Sequence, residues 1–485
     1  MKRISAARVS RLIVGWQVGD RNLAERLCLA LGKLIAAREL PVGALLPSER
    51  TLAAALVVSR GTVVSAYGLL RDAQFVTSQQ GSGYRIIASS NSPGEVHNRL
   101  VGEVVAAAQD IDMSSGALQS SPVLVELLNG LQGSDLASIV TGLGYDAYGR
   151  PELRAAVARY YSDLGLPTRS ENILITSGAQ QAVWLLANAF VDPSDLVLLE
   201  DPTYRGSMEA FRRRNARFAS ARVTHTGFDW QALEVQLQQS PQLFYLCADC
   251  QNPTGRTLDD AARTRLAELL RRYPALVVED GSQSELALDA ADAPHLPLAA
   301  HFQGDQSERI ATIGTLSKLF WGGLRVGWVR SGAAVIARLA SMKAVNDLGS
   351  SRFDQRLAVE LFERLPQGRS WRRAEIQSTL HTAEQLIREH GGADWQWHRP
   401  AGGTAMWIRI PGADAVALCQ SAARQGLLLS AGPGYSVTES FGDHIRLPFV
   451  RPKPTIAYTV DLIAQLRQKQ GKAIAADAEQ PVQKL

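Results

Sequence analysis

Side chains capable of covalent and phosphate chemistry follow short apolar runs along the chain. After the run Ile-Ala-Thr-Ile-Gly come Thr315, Ser317 and Lys318, and Arg325 follows seven residues after the lysine. A lysine amine can form a Schiff base with a carbonyl compound. A guanidinium group can bind a phosphate through paired hydrogen bonds. The spacing therefore predicts a Schiff-base lysine beside a phosphate clamp.

Four other apolar runs end on residues that suit the same chemistry. Asp280 ends one run, and an aspartate there can keep a pyridine nitrogen protonated, which makes the ring an electron sink. Asn252 begins an Asn-Pro-Thr-Gly turn and can donate a hydrogen bond to a phenolate oxygen. Ala179 and Gln180 lie in a small-residue turn whose backbone N–H groups can hold a phosphate. Tyr204 follows a fourth run and offers an aromatic ring.

Helix-length segments separate the apolar runs, which predicts a parallel sheet with helices on both faces. Ligands of such sheets bind at the carboxyl ends of the strands, and the reactive residues follow the runs at those ends. Taken singly, each motif also fits a tight turn, a core tyrosine or a surface lysine. Their common order in one chain favours a shared site. The runs are NILIT, LVLLE, QLFYLCA, ALVVED and IATIGTL.

In combination, these motifs resemble the fold-type-I aminotransferases, which bind pyridoxal 5'-phosphate (PLP), and the resemblance spans residues 111–466. It implies an α/β body with a large, mostly parallel sheet domain and a smaller α+β domain. It implies that Lys318 forms the internal aldimine, that Asp280 pairs with the pyridine nitrogen and that Asn252 contacts the ring hydroxyl. Tyr204 would stack on the ring. The implied phosphate ligands are Ala179, Gln180, Thr315, Ser317 and Arg325.

Three further residues take their roles from the same resemblance. Tyr145 matches a phosphate-contacting tyrosine donated by the neighbouring subunit, which implies a homodimer with the active site at its interface. Arg446 matches the arginine that grips a substrate carboxylate, and Gly116 matches a glycine that lines the amino-acid pocket. Where the family places a tyrosine soon after the aspartate, this chain has Ser282 and Gln283. Loss of that phenol should shift the aldimine pKa, which favours weak or residual transaminase activity.

The first ninety residues carry a second pattern, built on short helices. Residues 22–38 place leucines and an isoleucine on one helical face. Ser48 can cap the next helix and Ser59 the one after it, and two short helices joined by a tight turn are typical of a helix-turn-helix. Residues 75–87 predict a hairpin. The alternative is a generic small helical domain with a surface hairpin.

Polar residues favour the DNA-binding interpretation of this head. Hydroxyls and backbone N–H groups at a helix start can meet phosphates, and an arginine there can reach a guanine edge. The motif LPSERTLAAALVVSRGTVVSAYGLL, followed by GSGY, resembles the winged helix-turn-helix domain of the GntR regulator family over residues 20–88. Val64 stands where some members carry a further DNA-contacting arginine, so the base preference stays open. The residues implied to approach operator DNA are Arg50, Ser59, Arg60, Thr62, Gln80 and Gly81.

Length and charge agree with this division. The chain has 485 residues, enough for about three structural units. Residues 1–90 carry 12 basic and 5 acidic residues, a net charge of +7, whereas the remainder carries 39 basic and 42 acidic residues, a net charge of −3. A basic head on an acidic body suggests an anionic partner for the head. Residues 89–110 are predicted to be a linker and residues 467–485 a polar tail.

Membrane and metal chemistry have little support in the sequence. No apolar run reaches the roughly 18 residues of a membrane helix, and basic residues interrupt the N-terminal apolar segment, so we expect a cytoplasmic protein without a membrane partner. Four cysteines are too few for a disulfide framework. Cys247 and Cys250 form a CxxC pair without the further ligands of a zinc site. Buried thiols are therefore favoured over a redox or metal role.

A GntR-type head on an aminotransferase-like body is the layout of the MocR/GabR-like regulators. The leading hypothesis is a PLP-dependent DNA-binding transcriptional regulator that senses a small amino-group effector through the aldimine on Lys318. That effector would be an amino acid, an amine or a vitamin-B6 relative. One alternative is a catalytically active aminotransferase with an appended DNA-binding head. Another is a DNA-binding repressor whose body has lost PLP and serves as a dimerisation scaffold.

Overall fold

Three structural units form along the chain, as the length suggested. A computed structural model describes residues 3–13, 15–17, 22–36, 39–40, 43–72, 75–79, 83–87, 110–133, 137, 139–140, 143–224, 227–288, 294–302 and 304–478. The predicted wing-tip residues Gln80 and Gly81 lie outside these ranges, as does the predicted linker apart from Asp110.

The head is a small helical unit with a hairpin. The caps form as predicted, because the Ser48 hydroxyl accepts from the Thr51 N–H and the Ser59 hydroxyl accepts from the Thr62 N–H. Val57 joins the two capped helices in the left-handed conformation. The described elements of the head are α1 (Ala6–Leu12), α2 (Leu23–Ala36), α3 (Glu49–Leu56), α4 (Arg60–Asp72), β1 (Val76–Gln79) and β2 (Gly83–Ile86).

Side chains at helical spacing hold this head together. Val63, Tyr67 and Leu70 lie on the inner face of α4 and are fully buried, as predicted. The Tyr67 hydroxyl donates to the Pro47 carbonyl at 3.0 Å, which satisfies its polar group inside the core. Helix α1 was not predicted, because its seven residues carry no strong periodic signal; it packs against α3.

The large domain is built on one sheet of eight described strands in the order β4-β11-β10-β9-β8-β5-β6-β7. The five strands that sequence reasoning predicted are all present, and neighbouring members pair in parallel. Strand β11 runs antiparallel between β4 and β10, which the apolar pattern had not indicated. The strands are β4 (Ile173–Thr176), β5 (Leu196–Asp201), β6 (Arg217–Thr224), β7 (Gly227–Phe228), β8 (Leu243–Leu246), β9 (Leu276–Asp280), β10 (Ile310–Thr315) and β11 (Gly327–Arg330).

Helices cover both faces of this sheet, so its strands are buried on both sides. Alternate residues of one strand enter two different cores: Phe244 packs in one, and Leu243 and Tyr245 pack in the other. The helices around the large domain are α5 (Pro122–Asn129), α6 (Pro151–Asp163), α7 (Ala179–Phe190), α8 (Arg205–Arg213), α9 (Trp230–Leu237), α10 (Asp260–Leu270), α11 (Ala333–Asn346) and α12 (Arg352–Phe362).

The small domain packs helices on an antiparallel sheet of strands ordered β12-β13-β16-β15. The start of the body also contributes, because strand β3 (Ile111–Asp112) pairs with β14. The remaining elements are α13 (Leu365–His390), β12 (Gln396–Trp397), β13 (Ala405–Arg409), α14 (Ala415–Ala423), β14 (Leu427–Leu428), β15 (Ser430–Ala431), β16 (His444–Pro448) and α15 (Lys453–Ala478).

Helix α15 continues to Ala478, so residues 467–478 of the predicted polar tail are helical. Within the described ranges, no single helix has the length and apolarity to cross a membrane. Helices α3 and α4 meet such a test only as a pair, and that pair is bent by 117°. No disulfide joins the four cysteines in the described part of the chain; Cys247 and Cys250 are buried, as predicted, Cys419 is also buried, and Cys28 is half-buried.

Candidate cofactor-binding site and DNA-binding surface

Lys318 lies just after β10, at the carboxyl edge of the large sheet. Its Nζ donates to the Gly116 carbonyl at 3.0 Å, across the opening between the two domains of the body. The lysine lines a cavity of about 230 Å³. The cavity is shared by residues from several strand ends, as the predicted topology requires.

The environment of Lys318 lowers its basicity. Burial is the largest cause, and the positive charges of Arg446 and Arg451 add to it, so the pKa falls from 10.5 to about 8. Asp280 acts in the opposite direction. An amine with this pKa is partly neutral near pH 8, the form that can attack a carbonyl.

Asp280 ends strand β9 and is buried beside the lysine. Parallel pairing places it opposite Ile313 of β10. One carboxylate oxygen accepts the Ser282 N–H at 2.9 Å, and the other accepts the Tyr245 hydroxyl. These two donors hold the carboxylate at the cavity wall.

A cradle of donors lies at the other end of the cavity. Helix α7 begins at Ala179 and directs its first backbone N–H groups there, after Gly178 with a φ of +93°. A Cβ on Gly178 would lie 2.6 Å from an Arg325 nitrogen, so only glycine allows this approach. Thr315 accepts the Ser317 N–H, and the hydroxyls of the two residues are 3.0 Å apart.

One polar atom in this cradle lacks a partner. The Oε1 atom of Gln180 is buried and has no hydrogen-bond partner among the described residues. Its amide nitrogen donates to the Gly206 carbonyl at 3.2 Å. Buried polar atoms are normally satisfied, so this carbonyl oxygen, which can only accept, marks room for a hydrogen-bond donor. Gln180 and the other predicted phosphate ligands, Ala179, Thr315, Ser317 and Arg325, all line the same cavity.

Arg446 of β16 extends its guanidinium into the cavity and is 4% exposed. It donates to three neutral oxygens: Asn252 Oδ1 at 3.2 Å, the Ser114 carbonyl at 3.3 Å and the Thr404 hydroxyl at 3.3 Å. Within the described part of the chain, no carboxylate pairs with it. A buried charge without a counterion is costly, which marks a position for an anion.

The other predicted body residues divide into two groups. Tyr204 lines the cavity, and Gly116 lies so near Arg446 that a Cβ would be 2.5 Å from its guanidinium. Tyr145 does not line this cavity, and its side chain is 76% exposed. That exposure leaves it available to a second chain.

Ser282 and Gln283 occupy the position of the missing tyrosine, and both line the cavity. The Gln283 amide nitrogen donates to the Cys250 carbonyl at 3.3 Å, which uses one of its two N–H groups inside the protein. Sequence reasoning missed Tyr245 and Tyr435. Tyr245 belongs to an apolar run and has no distinguishing sequence signal, and Tyr435 lies in a short 3-10 turn, Gly432–Tyr435, of the small domain.

The described DNA-contact candidates in the head are exposed or half-buried. Arg50 and Ser59 are exposed, Thr62 is half-buried, and Arg60 has 72% of its side chain accessible. Arg60 donates from Nε and Nη2 to one oxygen of Glu49, at 3.2 and 2.9 Å. This exposed ion pair is weak and can open when a phosphate or base competes for the arginine.

Comparison with known proteins identifies the two parts of the chain. Residues 94–461 match the family "Aminotransferase class I and II", and residues 23–86 match "Bacterial regulatory proteins, gntR family". The HTH-type transcriptional regulator YdfD of Bacillus subtilis is 26% identical over 443 residues, which cover 85% of this chain and 89% of YdfD. The probable rhizopine catabolism regulatory protein MocR of Rhizobium meliloti is 28% identical over 306 residues, covering 59% of this chain and 60% of MocR.

A solved structure shares the architecture of the body. The α-aminoadipate aminotransferase LysN of Thermus thermophilus, complexed with N-(5'-phosphopyridoxyl)-L-leucine, superimposes with a TM-score of 0.67 at 25% identity. The match covers 79% of this chain and all of LysN. The body is therefore a fold-type-I aminotransferase fold, as predicted.

The chain belongs to the aminotransferase class I and II family and carries a GntR-type DNA-binding head. Its relatives with the same two parts are MocR-like HTH-type transcriptional regulators. This domain composition supports the regulator hypothesis over an aminotransferase with an incidental head.

The lowered pKa of Lys318 gives a first prediction. Competitive labelling with acetic anhydride should modify Lys318 increasingly as pH rises through about 8, because only the neutral amine reacts. Removing a nearby cation in Arg446→Gln should move the midpoint to higher pH. Peptide mass spectrometry measures both midpoints, with Lys453 as an internal reference. A wild-type midpoint near 10.5 would contradict the inferred environment.

The Arg60–Glu49 pair gives a second prediction. Glu49→Gln should strengthen binding to a DNA duplex by about two- to fivefold, because Arg60 can then bind DNA without first breaking its ion pair with Glu49. Arg60→Ala should weaken specific binding by about 1–3 kcal/mol and reduce the salt dependence. Fluorescence anisotropy measures both. Arg71→Ala, which removes an arginine from the far end of the same helix, is the matched control and should bind almost as the wild type does.

Proposed function

We propose that the cavity binds PLP and that Lys318 is its covalent anchor. Asp280 would face the pyridine nitrogen, Asn252 the ring hydroxyl and Tyr204 the ring face. The phosphate would lie at the start of α7, where the first backbone N–H groups of the helix and the hydroxyls of Thr315 and Ser317 lie beside Arg325. When bound, PLP supplies an aldehyde that condenses with primary amines, so Lys318 and an amino compound compete for one carbon.

The observation that carries this proposal is the buried guanidinium of Arg446. It is 4% exposed, it meets only neutral oxygens, and its charge reaches Lys318 strongly enough to lower the lysine pKa. A ligand that brings a carboxylate to Arg446 and an amino group toward Lys318 satisfies both groups at once. We therefore propose an amino acid as the effector, in preference to an amine that lacks a carboxylate.

We propose that this ligand controls transcription through operator DNA. Arg50, Ser59, Arg60 and Thr62 of the GntR-type head, which are exposed or half-buried, would make the phosphate and base contacts. Gln80 and Gly81 would extend the contact at the wing tip. Because this role requires contact with the DNA, we propose that the protein is located in the cytoplasm.

A working aminotransferase is the second candidate, favoured by the retained lysine and by the fold. The residues that follow Asp280 argue against rapid transamination. Ser282 and Gln283 stand where the family has a phenol, and the Gln283 amide donates to a backbone carbonyl. Assay of amino donors with 2-oxoglutarate separates the two functions, because multiple turnovers would favour the enzyme.

We propose a homodimer, because a patch of exposed apolar side chains surrounds Tyr145. Two chain segments carry this patch. They are connected by a hydrogen bond from Arg352 Nε to the Ile139 carbonyl and by an isolated β-bridge between Asp146 and Gly349. Apolar area of this kind in one patch marks a protein interface. The exposed members are Val140, Leu143, Tyr145, Val345 and Leu348.

A spectral titration tests the cofactor and the effector class. The wild type with added PLP should develop the visible absorbance of lysine-bound PLP, and Lys318→Ala should not. Amino acids should change that spectrum, and Arg446→Gln should weaken their effect about 30-fold or more, because it removes a buried charge partner worth 2–5 kcal/mol. Amines without a carboxylate should act equally on both proteins. Equal loss for amines and amino acids would show that Arg446 does not bind the carboxylate.

Complementation between subunits tests the dimer. Tyr145→Phe should weaken PLP retention about tenfold, the scale of one hydrogen bond to a charged group, whereas Tyr148→Phe should retain PLP normally. A mixture of Tyr145→Phe and Lys318→Ala chains should regain tight PLP binding in some sites, because each hybrid dimer contains one site with both native side chains. Failure of mixing to restore tight binding, after chain exchange is verified, would place Tyr145 outside the partner's site.

A further inference from the structure

An N-terminal arm, residues 3–13 and 15–17, packs its apolar side chains into the core of the head and directs polar groups to the small domain. It precedes the segment that matches the GntR family. Ser10, Trp16 and Gln17 of the arm are each at most 6% exposed. Burial of two polar side chains on a surface segment requires a specific partner.

That partner is the carboxamide of Gln420 on helix α14, which is 3% exposed. Its oxygen accepts from Gln17 Nε2 at 2.8 Å and from Trp16 Nε1 at 3.3 Å. Its nitrogen donates to the Ser10 carbonyl at 3.1 Å. One side chain of the small domain therefore satisfies three groups of the arm.

Further contacts tie the arm and the DNA-binding helices to the same surface. The Ser10 hydroxyl donates to the Ala55 carbonyl at 3.2 Å, near the end of α3. Arg424, at the end of α14, donates to the Leu56 carbonyl at 3.5 Å, where a helix C-terminus attracts a positive charge. Arg11 forms an ion pair with Glu439. We call this face of the small domain, formed by α14 and residues 436–441, the docking face.

The docking face is one layer away from the cavity. Helix α14 packs against the 3-10 turn Gly432–Tyr435, and Tyr435 lines the cavity. The guanidinium of Arg205, another cavity residue, lies 5.0 Å from the centre of the Tyr435 ring. The next segment links both regions, since Thr438 donates to Asp201 at 2.7 Å and Glu439 meets Arg11. Residues 432–441 therefore contact the cavity at one end and the head at the other.

We propose that the arm is a dedicated connection through which occupancy of the cavity is transmitted to the DNA-binding head. The occupant of the docking face is the chain's own arm, and Gln420 is its central contact. This inference rests on the proposed binding of PLP. A ligand can change the docking only if it binds the docked and released states with different affinities, so cavity occupancy and docking must influence each other equally.

Hydrogen exchange on the full-length protein tests the connection. We compare the wild type, Gln420→Leu and the control Gln425→Leu, each with and without PLP. Gln425 is the same residue type five positions on and is exposed. In Gln420→Leu, amides of residues 5–13 should exchange about tenfold faster, because three buried polar groups lose their partner. In Gln425→Leu they should exchange as in the wild type.

Adding PLP should change the exchange of residues 5–13 in the wild type and in Gln425→Leu, but not in Gln420→Leu. At saturating PLP the visible spectrum should be the same in all three proteins, because Gln420 does not line the cavity. Far-UV circular dichroism verifies that each variant is folded, and Trp16→Phe, which removes one donor from the arm side, should give an intermediate exchange rate.

The outcomes distinguish this inference from the proposed function. If the wild type binds no PLP, the cofactor proposal fails. If PLP binds but arm exchange is unchanged by PLP, the arm does not transmit occupancy. If Gln420→Leu exchanges like the wild type, Gln420 does not hold the arm, and the inference fails even though PLP binds.

Discussion

The buried positive charge of the cavity is the constraint on which the rest of the structure depends. Lys318 and Arg446 lie close together, Arg451 adds to the same potential, and Asp280 is the carboxylate that opposes it. The fold tolerates this arrangement because neutral oxygens hold Arg446 and because the lysine pKa falls, which reduces the charge that must be buried. The proposed anionic ligand would reduce this excess of buried positive charge.

Sheet topology explains how residues so distant in sequence meet there. Parallel strands place their carboxyl ends at one edge, so Asp280 and Lys318 are neighbours through the register of β9 and β10. Arg446 comes from the other domain, on an antiparallel strand. The cavity therefore exists only while the two domains of the body keep their relative positions. The proposed ligand would contact both domains.

The difference between local patterns and contacts distant in sequence also explains what the sequence could predict. Apolar runs, glycine turns and serine caps act over a few residues, so five of the eight described strands of the large sheet, the turn at Gly178 and the caps at Ser48 and Ser59 were predictable. The antiparallel strand β11 and the tyrosine behind Asp280 depend on which segments become neighbours, and no local pattern encodes that. The N-terminal arm was missed for the same reason: the buried state of Gln17 makes sense only beside Gln420, which lies 403 residues away in sequence.

The docked head restricts how control of DNA binding can operate. In the structure the arm, Ala55 and Leu56 face the small domain, whereas Arg60 and Ser59 remain exposed. Docking on this small domain therefore leaves the described recognition residues Ser59 and Arg60 uncovered. What docking fixes is the position of the head on the body. In a dimer, that position sets the spacing of two recognition helices, and two heads at the spacing of an operator bind far more tightly than two mobile ones, since the second contact becomes intramolecular. Under the proposed function, a small change in the packing around α14 would be enough for regulation, because it would alter the spacing of the two heads and not the chemistry of either DNA contact.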